Sequence, residues 1–257
     1  MILPLASGVI APVAPGDRPA FWAVTGRLGG HSLGEFAQAN IAQHVGDDPD
    51  AVARNLEELA GLVQVQGRDL ALMQPIHGND IGRVTHPGMV IDVDSLVTEE
   101  CNLGLVATGA DCVPLILYGS RGHEKPIIGA VHCGWKGLVA GVVTATITEL
   151  RLRGAIEIKS IVGPAICGSC YSVSPDRREL VRTSTPADVS EAALGIAGGI
   201  DVRAGVLSEL KRERVSSQVI GGCTFENPET LFSYRKNDGR TGCQGIIIAM
   251  HESRERS

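Results

Sequence analysis

Apolar residues along this 257-residue chain fall into short runs separated by glycine, proline and polar clusters. The spacing inside each run separates strands from helices. Phe21–Thr25, Leu70–Met73, Leu103–Ala107, Val113–Tyr118, Ile127–Val131 and Ile158–Val162 are apolar stretches of strand length, and Gln218–Ile220 and Ile246–Met250 read the same way. Other segments repeat at helical spacing. Val52, Leu56, Leu59 and Val63 line one face of a helix that Asp48 caps and Pro49 opens, with Asp50 in its positive first turn. Val139, Val143, Ile147 and Leu150 form the stripe of a second helix, and Val202, Val206 and Leu210 that of a third behind Asp201. Strands and helices mix without strict alternation, which predicts an α/β (α+β) chain with a mixed β-sheet flanked by helices. No repeat, low-complexity tract or Ser/Pro-rich linker interrupts residues 1–257, so they read as a single domain.

Composition removes several alternatives. At 44% hydrophobic and 20% charged, the chain is neither disordered nor collagen-like. Its 23 basic and 29 acidic residues leave a net charge of -6, with no basic stripe, so nucleic acid is not an expected partner. Seven cysteines, an odd number in a chain long enough to bury a core without staples, point to a reducing, cytoplasmic setting. The apolar N-terminus has no basic residue before Arg18 and is broken by Pro4, Pro12 and Pro15, unlike a secretory peptide. The most apolar helical segment, Gly137–Leu150, falls short of the ~20 residues that span a bilayer, so no membrane partner is expected.

Reactive groups concentrate at predicted strand ends, in QPIHGND (Gln74–Asp80), GADCVPL (Gly109–Leu115), AVHCGWKGL (Ala130–Leu138) and GPAICGSCYSV (Gly163–Val173). Each sets glycine or proline beside a His, Cys or Asp, which lets the backbone approach a ligand. His77, Cys112 and His132 together offer two imidazoles and a thiolate, a donor set suited to zinc, with copper a second choice. Three protein ligands would leave zinc an open position for water or substrate. Taken singly, each of the three reads more simply as a buried thiol or a locally bonded histidine; the metal reading rests on their joint placement. The Cys167–Cys170 pair reads as an incidental loop feature, because a zinc ribbon needs a second CxxC. The cytidine-deaminase signature is absent: no His has Glu two residues on, and Ile166 stands where its proline would be. A phosphate loop and a dinucleotide fingerprint are also missing. Lys136 at a helix start, Arg27 before Leu28-Gly29-Gly30 and Arg235 after Phe232-Ser233-Tyr234 are candidate anion-binding groups.

With these motifs in place, the chain resembles the YfiH-like family, also described as laccase-domain or polyphenol-oxidase-like proteins and as peptidoglycan editing factors. The resemblance runs from TGRLGGHS (Thr25–Ser32) and HVGDDPDAVARN (His44–Asn55) through QPIHG, ADCVPL, HCGWKGL and GPAICGSCYSV to LFSYRKNDGRTG (Leu231–Gly242). It implies a mixed-sheet α/β domain similar to the cytotoxic-necrotizing-factor deamidase fold, and a metal site on His77, Cys112 and His132. It also implies phosphorolysis of adenosine, inosine and methylthioadenosine together with adenosine deamination; an older label is copper-dependent polyphenol oxidation. Some positions depart from the family pattern. Lys136 replaces the usual arginine, Gly109 precedes Ala110-Asp111-Cys112 where threonine is common, and Ala165-Ile166-Cys167-Gly168 replaces Ala-Ile-Gly-Pro.

The expected activity is therefore that of a zinc-dependent purine nucleoside phosphorylase with adenosine deaminase activity. His77, Cys112, His132 and Asp111 would be its catalytic residues, and Arg27, Asn40, Lys136 and Arg235 its substrate and phosphate groups. Asp111 would orient a ligand or shuttle a proton. Purine nucleosides and phosphate are the expected partners, and a homodimer stays open. The alternatives are a copper-dependent polyphenol oxidase, a metal-independent Cys–His hydrolase with Cys112 as nucleophile and His132 as base, and a scaffold whose metal only stabilises the fold.

Overall fold

The structure is a computed structural model that describes residues 1–252. Twelve strands and six α-helices are found among those residues. The strands are β1 (Pro4–Ile10), β2 (Ala20–Thr25), β3 (Leu70–Gln74), β4 (Ile81–Arg83), β5 (Gly88–Ile91), β6 (Ser95–Thr98), β7 (Gly104–Gly109), β8 (Val113–Arg121), β9 (Glu124–Cys133), β10 (Glu157–Val162), β11 (Ser216–Val219) and β12 (Gln244–Met250). The helices are α1 (Pro49–Leu62), α2 (Trp135–Ala140), α3 (Val142–Leu152), α4 (Pro175–Ser184), α5 (Ala187–Leu194) and α6 (Val202–Arg212).

The mixed sheet expected from the sequence is realised as two six-stranded sheets, ordered β1-β2-β12-β7-β3-β5 and β11-β10-β8-β9-β6-β4. Both are mixed: β3 runs parallel to β5 and β7, β10 to β11 and β4 to β6, and the other pairs are antiparallel. Alternation along each strand sends successive side chains to opposite faces. In β8, Val113, Leu115 and Leu117 join a core formed with Leu138, Val143, Ile147, Leu150, Val206 and Leu210 of the helices. Ile116 and Tyr118 of the same strand point the other way, to Trp22, Val24, Leu105, Ile246 and Ile248 of the first sheet. On the outer face of that sheet, Ala23, Val106, Ile247 and Ala249 pack on Val52, Leu56 and Leu59 of α1 and on Val63 at its C-cap. The result is four layers: α1, first sheet, second sheet, and the remaining helices.

This arrangement brings three strand ends together. β3 and β7 are parallel, so the loops carrying His77 and Cys112 leave the same end. In the β8–β9 hairpin Pro114 lies opposite His132 and Val113 opposite Cys133, which sets Cys112 beside the end of β9.

Several elements differ from the sequence pattern. The second helical stripe is divided between α2 and α3 by Gly141, whose φ of 73° ends one helix and starts the next. β1, which the pattern does not predict, is an edge strand paired only with β2, a place that tolerates Pro4. α4 buries only Val181, too little to leave an apolar stripe. No helix among the described residues is long and apolar enough to cross a membrane.

Candidate active site

His77, Cys112 and His132 converge: their ligating atoms all lie within 4.8 Å of one another. The two imidazoles meet edge to face, with centroids 5.0 Å apart and planes at 87°. His132 Nδ1 donates to the Thr108 carbonyl at 2.8 Å, since a carbonyl only accepts. That bond leaves Nε2 as the lone-pair nitrogen, buried and with no hydrogen-bond partner. Burial pushes the His132 pKa down to about 4, so the ring is neutral near neutral pH. An orphaned buried acceptor facing a second imidazole and a thiol is what a metal ligand looks like before the ion is counted.

His77 is fixed from its backbone. Its φ of 63° lies in the left-handed region, and the buried Asp94 carboxylate holds it there by accepting from His77 N and Gly78 N, each at 2.7 Å. The Asp94 carbonyl accepts from His132 N at 2.8 Å, so one residue positions both imidazoles. Desolvation lowers the His77 pKa and nearby Lys136 lowers it further, against the Asp94 charge. The Cys112 thiol is pushed up to about 12 by desolvation and by the charges of Asp111 and Asp94. Gly134 completes the pocket floor: a Cβ there would lie 3.0 Å from both Cys112 Sγ and His77 Cδ2. Two imidazoles and a thiol are a donor set that suits a divalent ion such as zinc, which His77, Cys112 and His132 could hold with one position left for water or substrate.

Asp111 touches neither imidazole nor thiol through its oxygens. Oδ1 accepts from Thr224 Oγ1 at 2.6 Å and Ser233 Oγ at 2.7 Å, and Oδ2 from Arg235 N at 2.7 Å. Burial raises its pKa against those three bonds. The carboxylate clamps the 224–235 segment to the Cys112 loop; that use of both oxygens argues against a free proton shuttle.

The cluster opens into a cavity of about 760 Å³, whose wall includes His44, Trp135, Tyr171, Arg177, Tyr234 and Arg235. The Arg235 guanidinium lies 4.9 Å from the Tyr171 ring centroid and donates to the Ser172 carbonyl at 3.1 Å. The Arg177 guanidinium lies 4.7 Å from the Trp135 ring centroid and donates to the Tyr171 hydroxyl at 3.4 Å. Two cations therefore flank one tyrosine in the cavity that His77, Cys112 and His132 also line.

Of the four residues expected to bind substrate and phosphate, only Arg235 lines the cavity. Arg27 gives Nε to the Ala37 carbonyl and Nη1 to the Pro228 carbonyl, and its guanidinium stacks on Phe232. Asn40 is fully buried and bonded to Ala42, Asp47 and Cys243. Both are loop braces whose polar atoms are already engaged. Lys136 is exposed outside the lining, its Nζ 5.9 Å from the Trp135 ring centroid. Arg177, His44 and Asp94 were not found from sequence. Trp135 lies in HCGWKGL and Tyr171 in GPAICGSCYSV, where they mark aromatic walls, and His44 opens HVGDDPDAVARN, but Arg177 carries no local signal beyond its place behind Pro175.

A family model described as "Multi-copper polyphenol oxidoreductase laccase" matches residues 21–251. A purine nucleoside phosphorylase of Corynebacterium glutamicum is 34% identical over 243 residues, covering 91% of this chain and 96% of its own. The crystal structure of Bacillus licheniformis hypothetical protein YfiH superposes with a TM-score of 0.81 at 25% identity, covering 90% of this chain and 92% of that one. YlmD of Geobacillus stearothermophilus gives a TM-score of 0.81 at 27% identity, with 91% and 92% coverage.

Proposed function

The chain belongs to the YfiH-like, laccase-domain family, and on that premise we propose that it is a zinc-dependent purine nucleoside phosphorylase that also deaminates adenosine. The observation that carries this reading is the orphaned Nε2 of His132 grouped with His77 and Cys112 under a cavity flanked by Arg177 and Arg235. A cavity of about 760 Å³ has room for a nucleoside and phosphate together. In phosphorolysis a phosphate oxygen bonds to the anomeric carbon, the glycosidic C–N bond breaks, and its electron pair leaves on the purine.

Arg177 and Arg235 are the groups we assign to phosphate, each able to present a fork of N–H donors to its oxygens. Trp135, Tyr171 and Tyr234 offer ring faces to the base or sugar. His44, whose imidazole stands on the cavity wall, is the group we place to protonate the departing purine. Zinc bound by His77, Cys112 and His132 would supply a Lewis acid and lower the pKa of water. In the deamination, water replaces the amino group of adenosine and ammonia leaves. The seven free cysteines suit a reducing, cytoplasmic setting.

The other readings draw less support. Of the seven histidines, His31 is held by Glu58, His86 by Thr85 and His251 by the Val63 carbonyl. Reduction of oxygen draws electrons from several copper ions, and His44, His77 and His132 are too few imidazoles around the cavity to hold them. A metal-independent Cys–His pair needs an easily formed thiolate, yet the Cys112 thiol is pushed up and the His132 imidazole down. Metal-loaded protein incubated with inosine should release hypoxanthine and ribose 1-phosphate only when phosphate is present. Absence of both products overturns the proposal.

A further inference from the structure

The CxxC pair gains two neighbours in three dimensions. Cys223, 56 residues beyond Cys167, and Glu226 bring their donor atoms to within 4.8 Å of those of Cys167 and Cys170 and of one another. The backbone sets this up. Cys170 N and Tyr171 N both donate to the Cys167 carbonyl, turning the chain so that the two CxxC thiols share a side. An isolated parallel bridge pairs Ala165 with Cys223, and Thr224 N donates to the Ala165 carbonyl at 3.2 Å. Asn227 N donates to the Cys223 carbonyl at 3.2 Å, a turn that carries Glu226 back over the thiols.

We propose that Cys167, Cys170, Cys223 and Glu226 form a second, structural zinc site that ties the loop after β10 to the loop after β11. A tetrahedron built on Zn–S distances of about 2.3 Å has donor–donor edges of about 3.8 Å. The Cys170 Sγ to Glu226 Oε1 separation is 3.6 Å, already an edge of that length. Cys167 N donates to Cys223 Sγ at 3.3 Å, an amide bond that stabilises negative sulfur. Three thiolates select zinc over magnesium or calcium, which take oxygen ligands. Binding releases the thiol protons to solvent and moves no electrons. A disulfide would use only two of the four donors and leave a thiol and a carboxylate unexplained.

The site would brace the cavity rather than react. Tyr171, which holds both arginines, follows Cys170 directly, and Thr224, which holds Asp111, follows Cys223. One ion would thus brace both the Tyr171 side and the Asp111 side of the cavity.

The test is a zinc count on the full chain, purified with reductant and dialysed against zinc. The parent should hold about two ions per chain. Cys112→Ala should hold one, as should the Cys167→Ser/Cys223→Ser pair, and the triple variant none. Cobalt-loaded Cys112→Ala should show the strong sulfur-to-cobalt absorption of a thiolate-rich tetrahedral site. This variant keeps all four donors, so the result does not depend on whether the cysteine-loop variants fold. A parent with one ion that Cys112→Ala abolishes overturns the second site and leaves the first standing. One ion lost only in Cys167→Ser/Cys223→Ser supports the second site and overturns the first. A Cys167–Cys170 or Cys167–Cys223 disulfide found by mass spectrometry in zinc-loaded protein also overturns the proposal.

Discussion

Gly134→Ala tests the first metal centre without touching a polar atom. Gly134 has φ −87° and ψ −178°, a backbone that alanine adopts freely, so the added methyl acts only through its contacts. It would stand 3.0 Å from Cys112 Sγ and 3.0 Å from His77 Cδ2. A Cβ contact at 3.0 Å is tighter than side chains accept, so each neighbour must give way by a few tenths of an ångström. Metal–ligand distances hold to about 0.2 Å, so a displacement of that size already spoils the donor geometry. The backbone cannot absorb it, because Asp94 grips His77 N and Gly78 N. The apo chain relieves the clash by turning the two side chains apart, a freedom the loaded site lacks. Zinc affinity at this centre should therefore fall about 10- to 100-fold or more, as for perturbed supporting residues, while the apo melting temperature changes little. A chelator competition on parent and Gly134→Ala protein, with Cys112→Ala as the reference for complete loss, measures this. Parent affinity and parent turnover in Gly134→Ala would show that the three donors do not share an ion.

Other outcomes follow from the same geometry. Arg177→Ala and Arg235→Ala should each raise the KM for phosphate about tenfold or more, from loss of a charged hydrogen bond worth ~1.5–3 kcal/mol, with less effect on the nucleoside KM; steady-state kinetics with phosphate varied would refute the assignment if both values held. Asp111→Ala frees Thr224, Ser233 and Arg235 N together, so it should lower the melting temperature and raise the phosphate KM as Arg235 loses its anchor. Glu209 is buried, and burial raises its pKa from 4.5 to about 7. Its folded pKa exceeds the unfolded one, so its contribution to stability is full below the unfolded pKa and is lost as pH rises through 7, roughly 3 kcal/mol in all. Glu209→Gln should abolish that slope and exceed the parent in urea stability at pH 8; parallel curves for the two proteins would refute this.

The fold was legible wherever a strand or helix carried its own signal. The β12 run Ile246-Ile247-Ile248 reads as a strand buried on both faces because it is one, with Ile246 and Ile248 against the second sheet and Ile247 against α1. Asp48 and Pro49 mark the start of α1 because its side-chain acceptor and fixed φ act within a few residues. The division into two sheets was not legible. Period-two alternation says that Leu115 and Ile116 face opposite ways, but not that one meets helices and the other a second sheet. β4, β5 and β6, of three to four residues, are too short for any period to show.

The site divides along the same line. His77, Cys112 and His132 were readable because each sits in a glycine-marked strand end, whereas Arg177 reaches the cavity only through the packing of α4. Arg27 and Arg235 look alike in sequence, yet the Ala37 and Pro228 carbonyls absorb the first while the second faces the cavity. Asp94 and Asp111 explain more of the chemistry than either sequence or motif suggested. Each spends both carboxylate oxygens on donors that fix a loop of the His77, Cys112 and His132 cluster, and each adds to the upward push on the Cys112 thiol. Desolvation, together with those carboxylates, raises the thiol pKa, while burial lowers that of His132. A thiol that resists ionisation beside an imidazole that resists protonation is a poor acid–base pair. The same arrangement suits a cation, because a divalent ion held by His77, Cys112 and His132 would offset the carboxylate field, replace the thiol proton and take up the lone pair that His132 Nε2 has nowhere else to give.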